Sequence, residues 1–204
     1  MDEEGREIDD ETLDDFFDRY ADAGTDAITD EGIERFCADI ALDTQDLMVL
    51  VLCWQMKAKE MCVITREEWR TGMRAIGADS AVSVREALPR LKDKVADPNN
   101  DAFRQLYAYC YEFAREDAKK SISVDDALSL WDILLVGKRV PLLGEFTAYV
   151  RQQAAAAAAA ATAAAAARVT KDMWSQVLDF LLLPDLSHYS AEDAWPVVID
   201  DFVS

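Results

Sequence analysis

The sequence predicts an all-α protein built on EF-hand-like helix pairs that lack calcium ligands. Three observations predict it. Apolar residues recur at i, i+3, i+4 and i+7 along nearly the whole 204-residue chain, the spacing of helices with one buried face. Only two short stretches, 27–29 and 63–65, read as strands, and each lies between two helical patterns. Placing Ile28 at position 8 of a calcium loop puts Ala21, Ala23 and Thr25 at positions 1, 3 and 5, and Gly32 at position 12. Placing Ile64 there gives Lys57, Lys59 and Met61, with only Glu68 suited to position 12. Calcium needs about five to seven oxygens from such a loop, and neither loop supplies them.

The elements follow in order. Residues 1–11 are acidic and polar and read as a disordered leader. Phe16, Phe17 and Tyr20 mark the first helix, and Ile33, Phe36, Cys37 and Ile40 the second. Asp43 or Thr44 can cap a third helix, whose run from Leu47 to Trp54 is apolar almost all round. Such a helix is buried on every side or lines a groove with one face. Thr65 and Glu68 form a capping box that opens a helix carrying Trp69, Met73 and Ile76. Residues 84–95 make a weaker helix, with Pro89 as a kink or late start. Pro98, Asn99 and Asn100 mark a loop before Phe103, Leu106, Tyr107, Cys110 and Phe113. Ser123 caps a helix through Trp131 that ends at Gly137.

Residues 154–167 are alanine except for Thr162. Alanine has the best helix propensity, so the run extends the helix from Phe146 as a spacer without chemistry. It also marks a boundary between an N-terminal lobe and a C-terminal pair of helices. In the first of that pair, Trp174, Val177, Leu178, Leu181 and Leu182 face inward; in the second, Trp195, Val198, Ile199 and Phe202 do. Asp172 then sits in a first turn, and Asp200 and Asp201 fall opposite the apolar stripe. Rigid supports holding carboxylates outward describe a docking surface better than a catalytic site.

Charge narrows the partner class. The net charge of −19 disfavours nucleic acid and anionic membrane, both of which need a basic footprint. It favours a basic protein partner. Cys37, Cys53, Cys62 and Cys110 show no metal spacing and fit buried thiols of a reducing, cytoplasmic or nuclear compartment. The apolar run 47–54 is too short to span a bilayer. His188 is the only histidine and lies in a polar loop, which leaves little for a Ser/His or Cys/His system. No Gly-rich phosphate loop occurs. The sequence therefore reads as a non-catalytic protein without cofactor or metal.

Several segments together carry a resemblance: GIERFCADIALD (32–43), VLVLCWQMKA (49–58), REEWRTGMRAIGADS (66–80), YEFARE (111–116) and ALSLWDILLVGK (127–138). KDMWSQVLDF (171–180) and DLSHYSAEDAWPVVIDDFV (185–203) complete it. In this order they resemble the defective-in-cullin-neddylation family, over residues 12–204 apart from the alanine insertion. The resemblance implies a potentiating neddylation domain, all-helical, with EF-hand-like units that bind no calcium. It implies a scaffold-type co-ligase that binds the cullin C-terminal winged-helix region and the N-acetylated amino terminus of the neddylation conjugating enzyme. The family's cullin patch matches Asp172, Ala194 and Asp200. Its acetyl-methionine pocket matches Ile33, Val49, Leu50, Leu52, Met61, Cys62, Ile64, Phe113, Leu130 and Ile133. Met61 stands where animal members carry a polar residue, and Leu130 where they carry an aromatic one, which implies a greasier pocket. The alternative reading is an EF-hand-type calcium binder or another acidic interaction module.

Overall fold

The computed structural model describes residues 8–115, 120–159 and 168–204, and among these it is helical with two small antiparallel strand pairs. The chain divides into two compact units, residues 1–96 and 97–204. No described helix is long and apolar enough to cross a membrane.

The first unit contains α1 (Asp10–Asp18), β1 (Ala27–Ile28), α2 (Asp30–Asp39), α3 (Leu47–Met56), β2 (Ile64–Thr65), α4 (Arg66–Ile76) and α5 (Ala81–Lys94). β1 and β2 pair in the register Ile28↔Ile64, so two helix–loop–helix units meet through their loops. Around this pairing Phe16, Phe17, Tyr20, Phe36 and Trp69 interlock, with ring centroids 4.8–6.3 Å apart and mostly edge to face. Aromatic rings prefer that geometry because the positive edge of one meets the negative face of the next.

Several expectations need correction here. The leader is not disordered up to residue 11: Asp9 caps α1 by accepting from the Thr12 amide at 2.7 Å, and Ile8 is buried. Residues 1–7 of the leader lie outside the described residues. The cap of α3 is Asp46, which accepts from the Met48 amide; Asp43 instead closes a turn onto Gln45. α5 begins at a Ser80–Ser83 capping box, so Pro89 is an exposed interior residue and not a late start. The left-handed turn at Gly77 allows the chain to re-enter a helix so soon.

Both EF-like loops are closed by protein groups. At position 12 of the first, a Cβ on Gly32 would lie 2.2 Å from the Tyr20 carbonyl oxygen, so the loop backbone fills the space a ligand side chain would need. In the second, Glu68 accepts from the Lys59 amide at 3.1 Å and from the Thr65 amide at 2.9 Å. Within the first unit the two helix–loop–helix pairs are then cross-linked by one cation: Arg66 reaches Asp18 and Asp26 at 2.7 Å and Asp14 at 3.4 Å, and its guanidinium lies 4.4 Å from the Phe17 ring centre. Arg70 binds Asp14 through two parallel N–H donors, and Arg74 pairs with Asp10. One helical turn separates each rung of this ladder between α4 and α1.

This ladder sets a pH dependence. The Arg70 hydrogen bond foremost, and Arg66 with it, hold the Asp14 carboxyl below its ordinary value against the opposing effect of burial. A depressed carboxylate stabilises the fold above its unfolded pKa and loses that contribution as pH falls through the folded value. Asp14→Asn is therefore expected to lower the urea midpoint at neutral pH. The gap between variant and wild type should begin to narrow near about pH 4, where the unfolded carboxyl takes up its proton, and close only once pH falls below the depressed folded value. A gap that persists unchanged in acid would remove the ladder as its cause.

The second unit contains α6 (Asp101–Ala114), β3 (Ser121–Ser123), α7 (Val124–Leu135), α8 (Leu143–Ala159), β4 (Arg168–Thr170), α9 (Lys171–Leu181) and α10 (Val197–Val203). β3 and β4 pair in the register Ile122↔Val169, a second loop-to-loop pairing that the sequence reading lacks. The alanine tract is therefore no boundary between units: its first residues finish α8, and β4 beyond it pairs back onto β3. Residues 160–167 lie outside the described residues. The division falls instead at Ala96/Asp97, just after α5.

Candidate functional site

The carboxylate-bearing surface is assembled from α9, the segment 182–196 and α10. Thr170 caps α9 by accepting from the Met173 amide. Two tyrosines of α6 then anchor the start of α9. The Tyr107 hydroxyl donates to the Trp174 carbonyl and accepts from the Trp131 indole N–H, both at 2.9 Å. The Trp174 indole N–H returns a bond to the Tyr107 carbonyl, and the Tyr111 hydroxyl donates to the Val169 carbonyl. These groups are buried with every partner supplied, the condition under which a polar network rigidifies a core. Asp172, in the first turn of α9, is thereby exposed at a fixed place, its Oδ2 accepting from Gln176 Nε2 at 2.8 Å.

Ala194 is exposed in the turn before α10. Trp195 donates its indole N–H to the Ser190 carbonyl at 3.1 Å, stacks on Tyr189, and packs on Phe180 of α9. Phe202 of α10 meets the same Phe180 and Phe146 edge to face. α10 starts only at Val197, after Pro196, so Trp195 is not helical as the periodicity proposed: the residue before a proline is driven extended. Asp200 is also not simply outward. It is half-buried, and its Oδ1 accepts from the Tyr189 hydroxyl at 2.7 Å, while Asp201 is exposed.

Phe180 thus packs against Trp195, the neighbour of Ala194, and against Tyr189, the partner of Asp200, while Asp172 lies eight residues earlier on α9, about 12 Å along the axis at 1.5 Å per residue. From residue 172 to 204 the chain carries Asp172, Asp179, Asp185, Glu192, Asp193, Asp200 and Asp201 and not one Lys or Arg. Arg104 pairs with Asp179 at 2.7 Å, and Lys171 turns to Glu112 at 2.7 Å. Among the described residues no Lys or Arg pairs with Asp172, Asp200 or Asp201.

The ten apolar residues matched to the acetyl-methionine pocket fall on both units. In the first unit, Leu52 and Ile64 are core; Ile33, Val49 and Leu50 are half-buried; Met61 and Cys62 are exposed in the turn before β2. In the second, Phe113 and Leu130 are buried and Ile133 is half-buried on α7. The half-buried residues explain the over-apolar third helix: Val49, Leu50, Cys53 and Trp54 on α3 are not covered completely. Two open cavities of the first unit, of about 400 and 620 Å³, are lined by other residues, Met56 to Thr71 around Glu68 and Ala21 to Arg35 around Asp22.

Nucleophilic chemistry finds poor support in these side chains. Burial foremost, and then Asp30, pushes the Cys62 thiol up, and burial takes Cys53 up to about 12, so neither is a ready thiolate. Asp185, Ser187 and His188 converge, but on one turn: Ser187 and His188 both bond the same Asp185 oxygen, which caps the turn instead of orienting a base. His188 is exposed.

Sequence reasoning missed Gln176 and Tyr189, the two residues that bond Asp172 and Asp200. Gln176 was legible as the i+4 neighbour of Asp172. Tyr189 was not, because no local spacing links it to Asp200.

A family model described as cullin binding matches residues 83–204. Over 195 residues, 94% of its length, the chain is 32% identical to DCN1-like protein 3 of Homo sapiens and of Rattus norvegicus, and spans 60% of those proteins. Over 187 residues, 90% of its length, it is 33% identical to DCN1-like protein 5 of Bos taurus and spans 73% of that protein.

Proposed function

Because the chain belongs to the DCN1-like, cullin-binding family, we propose that it promotes cullin neddylation as a scaffold that performs no chemistry itself. Its carboxylate pad docks the basic surface of the cullin C-terminal winged-helix region through Asp172, Ala194 and Asp200. Its half-buried apolar residues, Ile33, Val49 and Leu50 foremost, receive the N-acetylated methionine of the conjugating enzyme. Rate enhancement then comes from holding two partners together, which raises effective concentration and restricts orientation.

One observation carries this reading: seven carboxylates and no Lys or Arg over residues 172–204, on elements locked together around Phe180. Complementary charge speeds encounter and excludes wrong partners, and salt weakens it. The apolar site rests on a different term. Burying a methionine side chain yields about 1.5–3 kcal/mol, whereas a free ammonium in the same place would lose several kcal/mol of hydration. Acetylation removes that charge.

Calorimetric titration with a cullin winged-helix domain tests the first surface, with binding expected at low salt and weakened at high salt. Titration with acetylated and unacetylated amino-terminal peptides of the conjugating enzyme tests the second; acetylation should tighten binding about a hundredfold, which needs only ~2.7 kcal/mol. Added to purified conjugation components, the protein should raise the yield of modified cullin. An unchanged yield would refute the scaffold role.

A further inference from the structure

Both assigned carboxylates of the pad have one oxygen already engaged from within the chain. Tyr189 donates to Asp200 Oδ1 at 2.7 Å, and Gln176 donates to Asp172 Oδ2 at 2.8 Å. The two donors differ in rigidity. Gln176 is a half-buried amide on α9, carried on a flexible side chain with three rotatable bonds. Tyr189 is half-buried, stacked on Trp195 with ring centroids 6.4 Å apart and edge-on to Phe180 at 6.5 Å, so its hydroxyl has one place to be. Trp195 in turn is bonded to the Ser190 carbonyl, which ties the turn bearing Ala194 to the same cluster.

We infer that Tyr189 is a positioning residue of the docking pad, fixing Asp200 as a carboxylate with one outward oxygen that selects a lysine-type ammonium over a guanidinium on the partner. This deepens the proposed cullin-binding reading and rests on it. The physical basis is the shape of the acceptor. Guanidinium binds carboxylates best through two parallel N–H···O bonds, one to each oxygen. With one lone pair of Oδ1 given to Tyr189, a fork must share that oxygen with the hydroxyl, whereas an ammonium, a compact charge with rotatable donors, can bind through Oδ2 alone. The hydroxyl also keeps the side chain in a single rotamer, so the partner need not order it on binding. The bond leaves its mark on the tyrosine as well: the Asp200 carboxylate foremost, with burial and Asp193 behind it, pushes the Tyr189 hydroxyl above its ordinary value.

The test is a double-mutant cycle read by titration with the cullin winged-helix domain, native and with its lysines converted to homoarginine by O-methylisourea. Tyr189→Phe should weaken native-domain binding about tenfold in the Asp200 background, the scale of one lost bond to a charged group, and by less than about twofold once Asp200→Asn is present. Wild type should prefer the native over the guanidinylated domain, and Tyr189→Phe should narrow that preference. Equal weakening in both Asp200 backgrounds, or a preference that Tyr189→Phe leaves unchanged, would overturn the inference. If wild type binds neither domain, the cullin reading itself fails, and the selectivity inference falls with it. The hydroxyl bond is then judged separately, by following the Tyr189 ring carbon in NMR. Asp200→Asn should bring its ionisation midpoint down toward about 10; no movement would show that the bond is absent.

Discussion

Ala194→Arg is expected to abolish cullin binding, a loss of at least about a hundredfold or ~2.7 kcal/mol, while leaving the fold intact. Ala194 is exposed, and the backbone around it is fixed by other residues: Asp193 bonds back to the Ser190 carbonyl and Trp195 back to the Asp193 carbonyl. A new side chain there disturbs no packing, and surface changes of this kind usually move stability by no more than about 0.5 kcal/mol. The new side chain would place a positive charge and about six heavy atoms where a basic partner must approach closely, beside Asp193 and Glu192, whose charge it would partly offset. Asp200→Lys is a less clean test, because it also removes the Tyr189 bond. Calorimetric titration of Ala194→Arg beside its thermal midpoint separates the two effects. Wild-type affinity in the variant would mean that this turn faces no partner.

Much of this was legible in the residues, and the rest was hidden for identifiable reasons. Helix positions follow from apolar spacing, and the Ile28↔Ile64 pairing follows from aligning two loops that share a hydrophobic at the same position. Ile122 and Val169 escaped because each is a single apolar residue between polar neighbours, too short for any alternation to register. The alanine tract misled: low complexity reads as a linker, yet pairing across it is decided by residues on either side. Asp172 and Ala194 came from motif matching and are exposed, as a docking role requires. Asp200 was placed on the correct helix, but periodicity describes one helix at a time and does not see a tyrosine donated from another segment. The same limit applies to the apolar set: α3 is legible as over-apolar, while which of its residues remain half-exposed depends on what packs over it.

Gly72→Val is expected to cost about 3 kcal/mol or more and to unfold the first unit preferentially. Glycine inside a helix is about 1 kcal/mol worse than alanine, so on propensity alone any replacement except proline should stabilise α4. Contact reverses that sign. A Cβ at Gly72 would lie 2.3 Å from Met56 Cγ and 2.8 Å from Met56 Cα, and the second of these is backbone that no rotamer change relieves. α3 and α4 must therefore separate, and what they hold between them is the core: Val51, Leu52 and Met56 on one side, Trp69, Met73 and Ile76 on the other. Even Gly72→Ala should destabilise, which distinguishes close packing from chain entropy as the reason for the glycine, since entropy predicts the opposite. Each unit carries its own reporters. Indole N–H signals of Trp54 and Trp69 belong to the first unit and those of Trp131, Trp174 and Trp195 to the second. In Gly72→Val the first pair should lose dispersion at lower urea than in wild type, while the tyrosine-anchored Trp131 and Trp174 persist. Loss of all five signals together would show that the units unfold as one, and an unshifted first pair would show that α3 and α4 do not approach as closely as their side chains indicate.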